Sequence, residues 1–189
     1  MRKKKELERR ALRKKYLEQQ QKAGNGDAVF MSAVGPIDAG QLRVNAYHEA
    51  GHAVLGMRVG PGVEIVTIDP QRVKELTGKE FPGYTRYRES GPAKADIVLC
   101  LTASGLTSEA MFVSGGVVSS KEDDIGRLIE MLENQLGLRG SEKERELVRI
   151  RLMTQQLVLE NRAAIEAVAN ALMEEKTLTG EDLQRILDR

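Results

Sequence analysis

The chain contains two histidines, His48 and His52, four residues apart, with Glu49 directly after the first. Side chains four apart share one face of an α-helix, so both imidazoles can reach a single ion from the same side. Zn²⁺ suits that donor pair, and a carboxylate one residue past the first histidine can serve as general base to a water that the ion polarises. H-E-x-x-H is thus a pattern for metal-assisted hydrolysis, above all of peptide bonds. A structural zinc site is usually closed by four Cys or His ligands; this chain has one Cys and two His, which leaves a coordination position open. The competing reading is a pair of surface histidines. Val44, Ala46, Tyr47, Ala50, Ala53, Val54 and Met57 around them belong instead to a buried helix, which has little reason to collect both.

A third ligand must come from elsewhere. The extended metzincin pattern needs a third His, which the chain lacks, so a carboxylate has to supply it. Asp123, Asp124 and Glu109 are the candidates, and their spacing does not rank them. Asp123 and Asp124 also read as ordinary acids in the first turn of a helix, where the helix dipole favours them.

The elements that must position these residues follow from periodicity. Leu42 to Val59 shows apolar spacings of three and four and stops at Gly60, Pro61 and Gly62, which predicts a helix of about four turns. Val63 to Ile68 is β-branched and ends at Asp69-Pro70, a strand; Gly83, Tyr84, Thr85 and Tyr87 suggest a second extended piece, able to pair with it antiparallel. A further helix is predicted from Ala93 to Val113, dense in apolar residues and ended by Gly115-Gly116. Ser119 and Ser120 precede another that runs to Gly137, and Ser141 with Glu144 suggests a capping box for a long helix through Glu175. Thr179 is expected to cap a short last helix.

Composition bounds the class. With 189 residues, 41% apolar and 30% charged, the chain can bury a core without staples, and collagen-like, mucin-like and membrane classes do not fit. One Cys, no apolar leader and no run of about 18 apolar residues make a cytoplasmic location without a membrane span the expectation. Residues 1–22 hold ten Lys/Arg against three Glu and read as a solvated basic arm, partly helical; residues 23–40, Gly-containing and without period, read as a linker to a domain over 41–189. Charge alone would let the arm meet nucleic acid or an acidic surface. With Tyr16 its only aromatic residue it lacks a stacking platform, so a nucleic-acid role is not expected. Cys100, within Ile97-Val98-Leu99-Cys100-Leu101, reads as an inert buried thiol.

Ala46-Tyr47-His48-Glu49-Ala50-Gly51-His52-Ala53-Val54 resembles the peptidase-domain signature of the FtsH-type ATP-dependent zinc metalloprotease family. Val66-Thr67-Ile68-Asp69-Pro70, Pro82-Gly83-Tyr84-Thr85 and Ala171 through Glu181 resemble later segments in the same order. Ser104-Gly105-Leu106-Thr107-Ser108-Glu109 partly matches the family's G-G-R-x-A-E stretch, losing one Gly and the Arg. Ser119 through Ile125 is similar to its T-G-A-S-N-D-[IL] run, whose Asp is the third zinc ligand, and the match falls on Asp124. Asp123 stands where that run has Asn.

The resemblance implies a mainly α, zincin-like domain with a small β element. His48, His52 and Asp124 would bind zinc, Glu49 would act as general base, and Glu109 would orient a zinc-bound imidazole. The implied function is a zinc-dependent endopeptidase for unfolded or flexible polypeptides; the alternative is a silent domain that binds an ATPase or protease assembly. No G-x-x-x-x-G-K-[ST] loop is present, so an AAA ATPase acting in trans is the expected partner, along with a possible homo-oligomer. The edge of the strand Val63 to Ile68 is expected to receive an extended substrate.

Overall fold

The computed structural model describes residues 39–89, 94–113 and 121–189. The basic arm, nearly all of the linker and the Gly115-Gly116 and Ser119-Ser120 turns lie outside the described residues. The first helix, α1 (Ala39–Arg58), is buried on nearly every side from Val44 to Gly56. Its apolar residues are not confined to one stripe, as a central helix requires. It begins at Ala39, slightly before the expected boundary.

Strand β1 (Val63–Thr67) follows, and then a helix that periodicity did not suggest, α2 (Pro70–Thr77). Asp69-Pro70 reads as a strand end, and the same two residues begin α2. The Asp69 side chain accepts from the Gln71 backbone N–H at 3.0 Å while Pro70 occupies the first turn, where its missing N–H costs nothing. Gly78, at φ 70°, closes the helix in the left-handed region. β2 (Tyr84–Tyr87) then pairs antiparallel with β1, Val66 opposite Thr85 and Thr67 opposite Tyr84.

Helix α3 (Ala95–Phe112) buries Leu99, Cys100, Leu101, Leu106 and even Glu109. Among the described residues it is the one helix whose length and composition would allow a membrane crossing, and half of it is buried within the protein, as for a core helix. Cys100 is buried in the expected way, and burial pushes its thiol up. α4 (Lys121–Glu130) widens at Met131–Gln135 into a π-helical turn and does not continue regularly to Gly137. The Lys143 ammonium meets the Glu133 carboxylate at 2.6 Å and fastens that turn to the next helix, α5 (Gly140–Glu160).

The long helix expected from Ser141 to Glu175 is two helices, α5 and α6 (Arg162–Glu175), divided at Asn161. The Asn161 side-chain amide donates to the Leu157 carbonyl at 2.8 Å, competing with the backbone ladder at that turn. The Ser141 capping box is absent too: α5 is preceded by Arg139, which makes no side-chain cap bond, and Ser141 is already inside the helix. β3 (Thr177–Thr179) leads into α7 (Gly180–Leu187), where Thr179 forms the expected cap in a reciprocal box with Asp182.

The sheet has the order β2-β1-β3, all antiparallel, so β1 is its centre. The expectation of an open edge on β1 is therefore corrected. Both sides of β1 are paired, and β2 carries an edge that no other strand among the described residues covers. One apolar cluster joins α1, β1, α6 and α7; a second, with Leu99, Cys100, Leu128, Leu132 and Ile150, joins α3, α4 and α5. The chain is thus mainly helical with a small sheet, the architecture of a zincin-like domain.

α1 packs most extensively against α3, and a glycine sets their approach. A Cβ on Gly51 would lie 2.3 Å from Ser108 Oγ and 2.6 Å from the Ser104 carbonyl oxygen. The carbonyl belongs to the backbone of α3 and cannot rotate away. Gly51→Ala is expected to lower stability by about 1–3 kcal/mol, as overpacking does, measured by urea unfolding; an unchanged midpoint would show that the helices separate freely.

Candidate metal centre

His48, Glu49 and His52 project from α1, Glu109 from α3 and Asp124 from α4. The structure brings three of these into one cluster: His48 Nε2 lies 3.1 Å and His52 Nε2 3.2 Å from Asp124 Oδ2, and the two Nε2 atoms are 3.2 Å apart. This near-equilateral triangle fits one ion. Donors about 2.0–2.1 Å from a tetrahedral zinc lie about 3.3 Å from one another. Two imidazoles and a carboxylate also match the donor chemistry of a catalytic zinc, with a fourth position left for water or substrate.

The far side of each ring is engaged. His48 Nδ1 is 3.4 Å from Glu109 Oε2, and Glu109 is 1% exposed. His52 Nδ1 is 2.9 Å from the Leu101 carbonyl oxygen; a carbonyl only accepts, so Nδ1 carries the proton and Nε2 keeps its lone pair for a cation. Ser104 Oγ, 3.1 Å from the same Nδ1, donates to the same carbonyl at 2.7 Å, and the Tyr87 hydroxyl approaches Nδ1 at 3.4 Å. These contacts fix the plane of both imidazoles before any ion arrives.

Electrostatics concentrate here. Burial alone would pull His48 down, but hydrogen bonding to Asp124 and Glu109 and the charge of Glu49 outweigh it and push His48 up to about 10. Burial opposes ionisation of Asp124, and the two histidines overcome it, holding the carboxyl below the usual carboxylate range. Burial, then the charges of Glu49 and Asp124, push the Tyr87 phenol above its ordinary value, so it stays a neutral hydroxyl. Each shift has the sign expected of a pocket that favours positive charge at its centre.

Glu49 is 6% exposed and its Oε2 accepts from the Thr85 hydroxyl at 2.6 Å. Of the three carboxylates open from spacing, Asp124 closes the triangle and Glu109 backs His48; of Asp123 only the backbone, in α4, is described. Thr85, Tyr87, Ser104 and Gly105 carry no role on sequence grounds. One signal was available: Thr85 and Tyr87 are two apart in a strand, so they share a face.

Gly105 is the closest approach of α3 to the cluster. A Cβ there would fall 2.4 Å from His52 Nε2 and 2.6 Å from His48 Nε2, in the space between the two donors. Gly105→Ala is therefore expected to abolish zinc binding with all three donors intact and helical content unchanged, read by metal analysis and circular dichroism. A full equivalent of zinc in that variant would place the ion elsewhere. Glu109→Gln is expected to weaken zinc about 10- to 100-fold, as loss of an imidazole's supporting carboxylate does, measured by competition with a chromophoric chelator; unchanged affinity would make Glu109 a bystander.

No family model matches the chain. Among curated proteins it is similar to the ATP-dependent zinc metalloprotease FtsH of Thermotoga maritima, 26% identical over 188 residues of alignment that cover 78% of this chain and 30% of that protein. The chain thus spans less than a third of the relative's length. This distant likeness and the His48-His52-Asp124 cluster are compatible with a zinc protease.

Proposed function

We propose that the chain is a zinc-dependent endopeptidase acting on unfolded or flexible polypeptides. The observation that carries the reading is the triangle of His48 Nε2, His52 Nε2 and Asp124 Oδ2, with Glu49 one residue from the first donor on the same helix. His48, His52 and Asp124 would hold the ion. Zinc, when bound, supplies a Lewis acid that polarises a carbonyl and acidifies a water.

The remaining chemistry belongs to the chain. Glu49 takes a proton from the attacking water and delivers it to the amine nitrogen as the C–N bond breaks. Glu109 and the Leu101 carbonyl keep the two rings turned so that their Nε2 atoms face inward. The edge of β2, which no other strand among the described residues covers, supports an extended substrate: a strand added there would run beside Thr85, whose hydroxyl touches Glu49. Strand addition reads backbone more than side chains, which suits polypeptides lacking structure. Folded proteins would first need unfolding, and an ATPase acting in trans is the partner that this reading calls for; a homo-oligomer would present several such sites together.

Glu49→Gln is expected to retain one zinc per chain while cleavage of a fluorescently labelled unfolded protein falls at least about 100-fold, the scale of general-base catalysis. Chelation should abolish cleavage and zinc restore it. Equal turnover by wild type and Glu49→Gln would remove the mechanism; zinc binding with no cleavage by the wild type would favour a silent, partner-binding domain.

A further inference from the structure

The segment from Pro82 to Thr85, which enters β2, is fastened to α1 over Glu49 at points independent of the metal donors. Asn45, one helical turn before Glu49, is 4% exposed and donates from Nδ2 to the Pro82 carbonyl at 3.2 Å. Its own Oδ1 accepts from Gln41 Nε2 at 2.8 Å, so its orientation is set from the preceding turn. Gly83 then packs directly on the glutamate: a Cβ there would stand 2.6 Å from both Glu49 Cγ and Oε1. Thr85 follows, held by its pairing with Val66, and donates from Oγ1 to Glu49 Oε2 at 2.6 Å. Asn45, Gly83 and Thr85 together determine where one carboxylate sits.

We propose that Thr85 is a positioning residue for Glu49: its hydroxyl occupies Oε2 and assigns proton transfer to Oε1, beside which Gly83 carries no side chain. This inference rests on the peptidase reading. A glutamate side chain has three torsions, and its terminal carboxylate rotates broadly when unheld. A proton acceptor must lie within hydrogen-bond reach of the water and then of the leaving nitrogen, so fixing the carboxylate raises the fraction of encounters that react. The hydroxyl donates a hydrogen bond that Oε2 accepts, and its proton stays on Oγ1. The oxygen without that bond receives the water's proton and releases it to the amine as the C–N bond breaks, which returns Glu49 to the carboxylate. The Thr85 hydroxyl touches neither the scissile bond nor the ion in this scheme.

The test uses the zinc-loaded full chain and its Thr85→Val and Thr85→Ser variants. Valine keeps the β-branched shape in β2 and loses only the donor. For an unfolded labelled polypeptide, Thr85→Val is expected to lower kcat about 10- to 100-fold, as misplacement of a reacting group does, with KM and zinc content unchanged, and Thr85→Ser to recover most of the loss. Wild-type kcat in Thr85→Val, or an equal loss in Thr85→Ser, would overturn the proposal, as would loss of zinc or fold in both variants.

Acetohydroxamate binding gives a readout separate from turnover, because this zinc-chelating group also donates a hydrogen bond to an oriented carboxylate. Its Kd is expected to rise about fivefold, the scale of one hydrogen bond, in Thr85→Val and Glu49→Gln, and to stay at the wild-type value in Thr85→Ser. Equal Kd values in wild type and Thr85→Val would overturn the clamp. A wild type that cleaves no polypeptide yet shows this order of affinities would remove the peptidase reading and leave the clamp standing.

Discussion

Three carboxylates, Glu49, Glu109 and Asp124, converge with two imidazoles in a largely apolar core, and that concentration of buried charge is the constraint on which the structure depends. Burying one carboxylate without a partner is costly, and the cost grows when others stand nearby. The raised His48 and depressed Asp124 answer it with protonated imidazole. A divalent cation among Nε2, Nε2 and Oδ2 answers it more completely, because it satisfies all three donors and lets the imidazoles stay neutral. The polar groups around the cluster serve the same end. Glu109, the Leu101 carbonyl, Ser104 and Tyr87 all lie on the Nδ1 sides of the rings, which leaves the Nε2 sides facing Asp124.

Holding that cluster requires helices closer together than ordinary side chains allow. Gly51 on α1 and Gly105 on α3 are the two points where the backbones approach, one against Ser104 and Ser108, the other against the imidazoles themselves. The glycines and serines in this stretch of α3 are thus explained by proximity. So is the near absence of a polar face on α1: α3, α6 and the sheet cover it from different directions, with α4 delivering Asp124 to the remaining gap. Fold and site are one problem here, since the helix that forms the centre of the core is also the one that carries His48, Glu49 and His52.

Much of this was legible where the signal is local. The helical spacing of Val44 through Met57, the β-branched run from Val63, the pairing partner at Tyr84–Tyr87 and the Thr179 cap each announce themselves within a few residues. The elements that escaped depend on partners far away or on two meanings of one signal. Asp69-Pro70 both ends a strand and starts a helix, and only the cap geometry shows the second. β3 is three residues long and exists through its register with β1, more than 100 residues earlier, so the central place of β1 was invisible to pattern. Asn161 breaks a helix whose periodicity continues through it, because the competing bond comes from its side chain. In the site the same division holds. His48, Glu49 and His52 are one motif; choosing Asp124 over Asp123 and Glu109 took a resemblance; and Thr85, Tyr87, Ser104 and Gly105 acquire meaning only when the sheet and α3 are laid against α1.

The proposed site holds one zinc ion among His48, His52 and Asp124 with a position left open. X-ray absorption at the zinc edge of the loaded protein reads that shell: four nitrogen and oxygen neighbours at about 2.0 Å are expected, two of them imidazoles, with one imidazole lost in His52→Ala. A sulfur neighbour at about 2.3 Å, which only Cys100 or a methionine could supply, or a spectrum unaltered by that substitution, would contradict it.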